Sequence, residues 1–367
     1  MSSFHVEAAR LPSDESERTL GRLERASAET GGAELAARLA ELQLWLGADL
    51  AELERELSRI ERELEQPRLD GSLDRALLAA RHLVALPGKR VRPICVLLAA
   101  RLGGVGPSPA VHRLALASEL VHTATLLHDD VIDEGTERRG VTTARRVFGN
   151  SASVLAGDHL LVRALKLVAS TELPGLLPKM LSVIDAMITA ESMQLASRIS
   201  PILGAEAILT IIRGKTGALF AWSMEAGGVA AGFGPLELAR LSQIGMSGGI
   251  AFQLADDVLD LAGDAEDLGK STFSDLREGK VTWPVRIALE RDPALMAQVR
   301  SAALEESPGV ACSRLAEGVR ATGALQATSH AASEYLDKAV QGLAQFEDSP
   351  ARRAIELVLS TFVKRRA

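Results

Sequence analysis

Asp129, Asp130 and Asp133 stand inside the apolar run 126–133. On a helix, Asp129 and Asp133 lie one turn apart on the same face, with about 5–6 Å between their Cβ atoms. Carboxylates this close repel, and an apolar helix holds them at a cost unless a cation binds. The pattern returns in the second half of the chain as Asp256-Asp257-Val258-Leu259-Asp260, again in an apolar helical run. A single copy is usually a solvated helix face. Two copies in matched contexts, each followed by basic residues, point to chemistry. The donors are all oxygens, which suits a hard cation. Mg²⁺ is favoured, because it binds through a few carboxylates, keeps waters and shares phosphate oxygens with a substrate.

Cations accompany the acidic clusters. The run 88–93, Gly-Lys-Arg-Val-Arg-Pro, places Lys89, Arg90 and Arg92 at a helix break. By itself it reads either as a solvated basic turn or as a phosphate grip at a helix start. His122 lies on the helix of the first cluster, in an apolar face where a core histidine is the ordinary reading; His128, beside Asp129, could orient it. Arg138-Arg139-Gly140 follows the first cluster, and Asp158 stands on the next helix. Lys215-Thr216 follows Gly214, with Glu191 and Gln194 one turn apart upstream, and Gln253 shares a face with Asp256. Gly269-Lys270 and the run 275–280 supply further cations in a loop. No nucleophile–base pair is evident. Two acidic walls with several cations suit a diphosphate that leaves by ionisation.

The elements that must position these groups are helical. Residues 1–33 form a polar N-terminal extension without evident chemistry, and 34–367 reads as one all-α domain. Leu35, Leu39, Leu42, Leu46, Leu50, Leu53, Leu57, Ile60 and Leu64 make a seam spaced by threes and fours, expected as one long amphipathic helix stopped by Pro67. It is expected to pack on its own domain, a coiled-coil contact being the alternative. Further helices are expected from 73 to 364, separated by Gly and Pro. Neither a Gly-x-Gly-x-x-Gly turn after a strand nor a Gly-x-x-x-x-Gly-Lys loop occurs, so a nucleotide fold is unsupported.

Of 367 residues, 47% are hydrophobic, enough for a large core, and the net charge of −7 with 3% aromatics argues against a nucleic-acid surface. Cys95 and Cys312 lack metal spacing and read as buried, reduced thiols. The start of the chain does not have the form of a signal peptide and no apolar run of eighteen residues occurs, so a cytoplasmic protein without a transmembrane segment is expected.

From about Leu46 onward the chain resembles the all-trans polyprenyl diphosphate synthases (isoprenyl transferases), most closely the long-chain members. His128-Asp129-Asp130-Val131-Ile132-Asp133 through Arg138-Arg139-Gly140 resembles the family's first aspartate-rich motif. Gly249-Ile250-Ala251-Phe252-Gln253 through Asp256-Asp257-Val258-Leu259-Asp260 and Gly263-Asp264 resembles the second, and 275–280 continues it. The resemblance implies an antiparallel helix bundle of the isoprenoid synthase type around a central cavity, usually a homodimer, with up to three Mg²⁺ ions bridging an allylic diphosphate to both motifs. It implies that Asp129, Asp133 and Asp256 hold metal with Asp130, Asp257 and Asp260 assisting. Lys89, Arg92, His122 and Arg139 would grip isopentenyl diphosphate, which overrides the core reading of His122. Arg138, Lys215, Thr216, Gln253 and Lys270 would bind the allylic diphosphate. Pro87 stands where the family commonly has glycine. The fifth and fourth residues before Asp129, Ala124 and Thr125, are small, which implies a product of at least twenty carbons. A class I terpene cyclase or head-to-head condensing synthase, a silent subunit of a heteromeric synthase and a helical scaffold are the rival readings. The intact isopentenyl grip, the two complete aspartate motifs and the polar constellations argue against each in turn.

Overall fold

The computed structural model describes residues 33–66, 74–138, 140–199, 204–262, 273–304 and 309–363. These residues form α1 (Ala33–Trp45), α2 (Gly47–Leu64), α3 (Arg75–Val84), α4 (Val91–Leu102), α5 (Pro109–Ile132), α6 (Ala144–Phe148), α7 (Asn150–Ala169), α8 (Leu176–Ile199) and α9 (Ala205–Ile212). A π-helical turn, Arg213–Gly217, links α9 to α10 (Ala218–Ala230). There follow α11 (Pro235–Ala262), α12 (Ser274–Arg277), α13 (Trp283–Arg291), α14 (Leu295–Leu304), α15 (Gly309–Ala321), α16 (Ala324–Leu343) and α17 (Pro350–Val363). Among the described residues the one departure from the expected all-α class is a hairpin of two-residue strands, β1 (Glu137–Arg138) and β2 (Val141–Thr142), which closes the loop after α5.

The described residues pack into two compact units, each drawn from separated stretches. One holds the chain up to Met180 with Ser223–Leu241 and Phe346–Val358; the other holds Leu181–Trp222, Ser242–Gln345 and the chain from Leu359 on.

In the first unit the leucine seam is divided at Leu46, whose φ of −91° and ψ of 1° depart from helical values and separate α1 from α2. The seam is nonetheless continuous as a buried surface: Leu39, Leu42, Leu46, Leu50, Leu53, Leu57, Ile60 and Leu64 are all buried, and α2 packs on α3 and α5. Asp49, in the first turn of α2, is buried. It accepts hydrogen bonds from Arg101 of α4 and from His112 Nε2 of α5 at 2.8 Å, while the Arg101 guanidinium lies 4.8 Å from the Trp45 ring. Burial raises the Asp49 carboxyl and the hydrogen bonds from His112 and Arg101 outweigh it, so the group sits below its ordinary value. Its stabilisation is complete above the unfolded value of about 3.9 and is lost as pH falls through the lower folded value. Asp49→Asn is expected to cost about 3 kcal/mol, since Arg101 is left as an uncompensated charge; thermal melts of variant and parent measure it.

The second unit is built on an apolar cluster that includes Ile208, Ile212, Leu254, Trp283, Val285, Leu315 and Val319. Phe220, Phe252 and Phe362 add mutual aromatic contacts, with ring centroids 5.2–5.6 Å apart. Glycines bring backbones together around the π turn. A Cβ on Gly214 would lie 2.7 Å from the Ala186 carbonyl oxygen, and one on Gly249 would lie 2.8 Å from the Gly217 Cα. Cys95 and Cys312 are free and buried, as expected, and burial pushes the Cys95 thiol up to about 12.

Candidate active site

The first aspartate motif ends α5. Ser108 caps the helix start, accepting from the Val111 amide at 3.3 Å, and Pro109 occupies the first turn, where its missing N–H costs nothing. Toward the other end, α7 approaches closely: Ser153 Oγ donates to the Leu127 carbonyl at 2.9 Å, and Gly157 lies so near His128 that a Cβ would fall 2.2 Å from Nε2. His128, which the sequence set beside Asp129, is engaged by α7. Its Nε2 lies 3.1 Å from the Val154 carbonyl and 3.3 Å from the Asp158 carboxylate, both on α7, and Asp158 is largely exposed.

The three carboxylates of this motif separate by burial. Asp129 and Asp133 are half-buried, whereas Asp130 is 2% exposed. Arg138 of β1 donates to Asp130 Oδ1 from Nε at 2.8 Å, and its Nη2 stands 2.7 Å from the same oxygen. Burial raises the Asp130 carboxyl and Arg138 opposes that rise. The Gly135 amide donates to the Asp130 carbonyl at 2.9 Å, which folds the loop back on the helix end.

The second motif, on α11, repeats the division. Asp256 and Asp260 are half-buried and Asp257 is buried. Thr216 Oγ1 donates to Gln253 Oε1 at 2.7 Å, and Gln253 Nε2 donates to Asp257 Oδ1 at 2.9 Å. The Trp283 amide reaches Asp257 Oδ2 at 3.4 Å. Burial, with Asp275 nearby, drives the Asp257 carboxyl well above its ordinary value. Asp260 Oδ2 accepts from the Asp275 amide at 3.3 Å. Sequence spacing linked Gln253 to Asp256 through a shared face; the structure instead links it to Thr216 and Asp257.

The π turn presents Lys215 to α8, where its Nζ donates to Glu191 Oε2 at 2.5 Å and to Gln194 Oε1 at 2.9 Å. A π bulge adds one residue to a turn and so redirects the side chains beside it, a device common at functional sites. The paired glycines Gly214 and Gly217 were the signal for it in the sequence, and Glu191 and Gln194 carried no assigned role there.

In the turn before α4, the three cations divide. Arg90 is buried and ion-paired, while Lys89 and Arg92 are half-buried; burial lowers Arg92 to about 10, so it stays protonated at neutral pH. His122 is half-buried on α5. Of the 275–280 cations, expected in a loop, Arg277 ends the short helix α12, and Lys280 is buried and paired with Glu278. Arg139, Lys270, Gly263 and Asp264 lie outside the described residues.

Among the described residues no three His, Cys, Asp or Glu side chains converge as a ready-made metal site. The half-buried pairs Asp129/Asp133 and Asp256/Asp260 nevertheless offer oxygen donors alone, the chemistry of a divalent cation that completes its shell with substrate phosphates and water.

A protein of the all-α class with two matched pairs of accessible carboxylates and a lysine set in a π turn has the makings of an enzyme that handles diphosphates. The polyprenyl synthetase family profile matches residues 75–311. The chain is 38% identical to the octaprenyl diphosphate synthase of Escherichia coli (strain K12) over 275 residues, 75% of this chain and 85% of that one. It is 32% identical to the nonaprenyl diphosphate synthase of Mycobacterium tuberculosis over 287 residues, 77% and 85% of the two chains. A polyprenyl synthase from Caulobacter crescentus CB15, solved with calcium and isoprenyl diphosphate, superposes with a TM-score of 0.79 at 34% identity, covering 97% of this chain and 100% of that one. The chain belongs to the polyprenyl synthetase family, and it is a prenyltransferase with the all-α fold of that family.

Proposed function

We propose that this enzyme condenses isopentenyl diphosphate head-to-tail onto an allylic diphosphate, with residues 34–367 acting as one catalytic domain. The observation that carries the reading is the paired design of the aspartate motifs. In each, the carboxylates at the first and fifth positions are half-buried while the one at the second is buried and held by neighbours. Asp129, Asp133 and Asp256 would hold up to three Mg²⁺ ions together with the allylic diphosphate. Bound magnesium would neutralise the charge that grows on the departing diphosphate. Asp130 and Asp257 assist by fixing the helix ends and loops from which the other carboxylates reach out.

Lys215, Thr216, Gln253, Arg138 and Lys270 bind the allylic diphosphate. Lys215, preset by Glu191 and Gln194, stabilises its leaving form electrostatically. Lys89, Arg92, His122 and Arg139 hold isopentenyl diphosphate so that its double bond meets the allylic carbon. The names of the relatives support a long product. So do the side chains upstream of the first motif, where Ala124 is buried, Thr125 is half-buried, and neither carries bulk that would stop a growing chain.

Self-association as a homodimer is supported by exposed apolar side chains. Leu181, Ile188 and Leu195 of α8, spaced by sevens, are 50%, 63% and 47% exposed, and Leu155 and Val162 of α7 are 58% and 50% exposed. Among the described residues no helix is long and apolar enough to cross a membrane. A cytoplasmic location is part of the proposal, supported by the buried free thiols.

Labelled isopentenyl diphosphate, Mg²⁺ and a panel of allylic primers test the reading, with products sized after dephosphorylation. A ladder reaching twenty carbons or more is expected, and Thr125→Phe is expected to shift it toward shorter products. A ladder ending at fifteen carbons would overturn the length argument, and no incorporation with any primer would overturn the activity.

A further inference from the structure

Arg90 has a left-handed backbone, with φ of 46° and ψ of 34°, a conformation that side chains other than glycine rarely take. Such a conformation persists where its surroundings over-determine it. Here the surroundings are two carboxylates from two other helices. Arg90 Nη1 donates to Glu119 Oε1 of α5 at 2.6 Å, and Arg90 Nε donates to Glu54 Oε1 of α2 at 3.3 Å. All three side chains are enclosed, at 5%, 4% and 16% exposure. The Arg90 carbonyl then accepts from the Ile94 amide at 3.1 Å and starts α4. The left-handed residue is thus the pivot between Lys89, on the incoming segment, and Arg92, on the first turn of the helix.

We propose that Arg90, Glu54 and Glu119 form a clamp that positions Lys89 and Arg92 for isopentenyl diphosphate; this rests on the reading that those two residues grip that substrate. Arg90 is a positioning residue and not a ligand, because its guanidinium is occupied by carboxylates inside the fold. The clamp also gives α2 a role. Glu54 precedes the stretch 75–311 matched by the family profile, so a helix outside that match reaches the substrate grip through one carboxylate. Removing the clamp frees the turn to reorient, which separates two cations that must meet one diphosphate.

Arg90→Gly is the discriminating variant, since glycine accepts a φ of +46° without strain while the anchor is lost. The double variant Arg90→Gly/Glu119→Gln also removes the carboxylate that would be stranded, and Glu54→Gln weakens one arm while Arg90–Glu119 remains. Lys89→Ala serves as the reference for loss of the grip. Steady-state kinetics with each substrate varied in turn, beside a thermal melt of each variant, give the readout. The expected result is KM for isopentenyl diphosphate raised about tenfold in Arg90→Gly and its double variant and about threefold in Glu54→Gln, with KM for the allylic primer within about twofold of the parent. An unchanged KM for isopentenyl diphosphate in the folded double variant, with Lys89→Ala raising it, overturns the clamp and leaves the grip standing. An unchanged value in Lys89→Ala overturns the grip and the clamp with it. Both KM values rising in step would make the cluster a general support of the fold and overturn the proposal. If Arg90→Gly does not fold, Glu54→Gln decides by the same criteria.

Discussion

Asp129→Asn and Asp256→Asn are each expected to lower kcat about a thousandfold, because a carboxylate lost from a divalent cation removes several kcal/mol of charge stabilisation at the leaving group. The melting temperature of either variant is expected to stay near the parent value, since both side chains are half-buried and neither holds the core together. Asp130→Asn makes the contrast. It removes the charge that Arg138 is paired with in a buried position, so stability falls along with activity. Initial rates over a Mg²⁺ titration, paired with thermal melts, separate the two patterns. Retention of more than about a tenth of the parent kcat by Asp129→Asn at saturating Mg²⁺ would sink its assignment as a metal ligand.

Lys215→Ala is expected to lower kcat/KM for the allylic substrate about a hundredfold, the cost of losing one preorganised donor at a developing anion. The variant also leaves Glu191 without the ammonium it accepts from, and one Glu191 oxygen is already buried without a hydrogen-bond partner. Lys215→Ala/Glu191→Gln removes that excess charge, so it is expected to regain stability but not rate. Lys215→Arg is expected to recover part of the rate, because charge is kept while the compact ammonium is replaced by a planar fork. Single-turnover measurements with saturating isopentenyl diphosphate isolate the step. Equal rates for Lys215→Ala and the parent would show that the π turn serves the fold alone.

The helices were legible because their signals are local. Leucines at threes and fours mark α1 and α2, and Ser108-Pro109 marks the start of α5. The acidic pairs were legible for the same reason, since i and i+4 share a helix face whatever the tertiary structure does. The π turn was not, because it arises from the close approach of α8 and α11 to Gly214 and Gly217, and backbone proximity leaves only the glycines as a trace.

Lys89, Arg90 and Arg92 show where local information ends. In the sequence they are three cations in four positions, with no local feature that ranks them. Glu54, 36 residues before Arg90, and Glu119, 29 residues after it, choose Arg90 for burial. His128 was read with its neighbour Asp129, yet its ring is fixed by α7. Within each aspartate motif the spacing could name three carboxylates but not divide them. Composition, helix periodicity and the two aspartate patterns by themselves determined the fold class and the kind of chemistry, because each is written in residues one turn apart. The tertiary structure alone decided which charges are spent inside the protein and which remain accessible, because burial and ion pairing depend on residues dozens of positions away that only folding brings together.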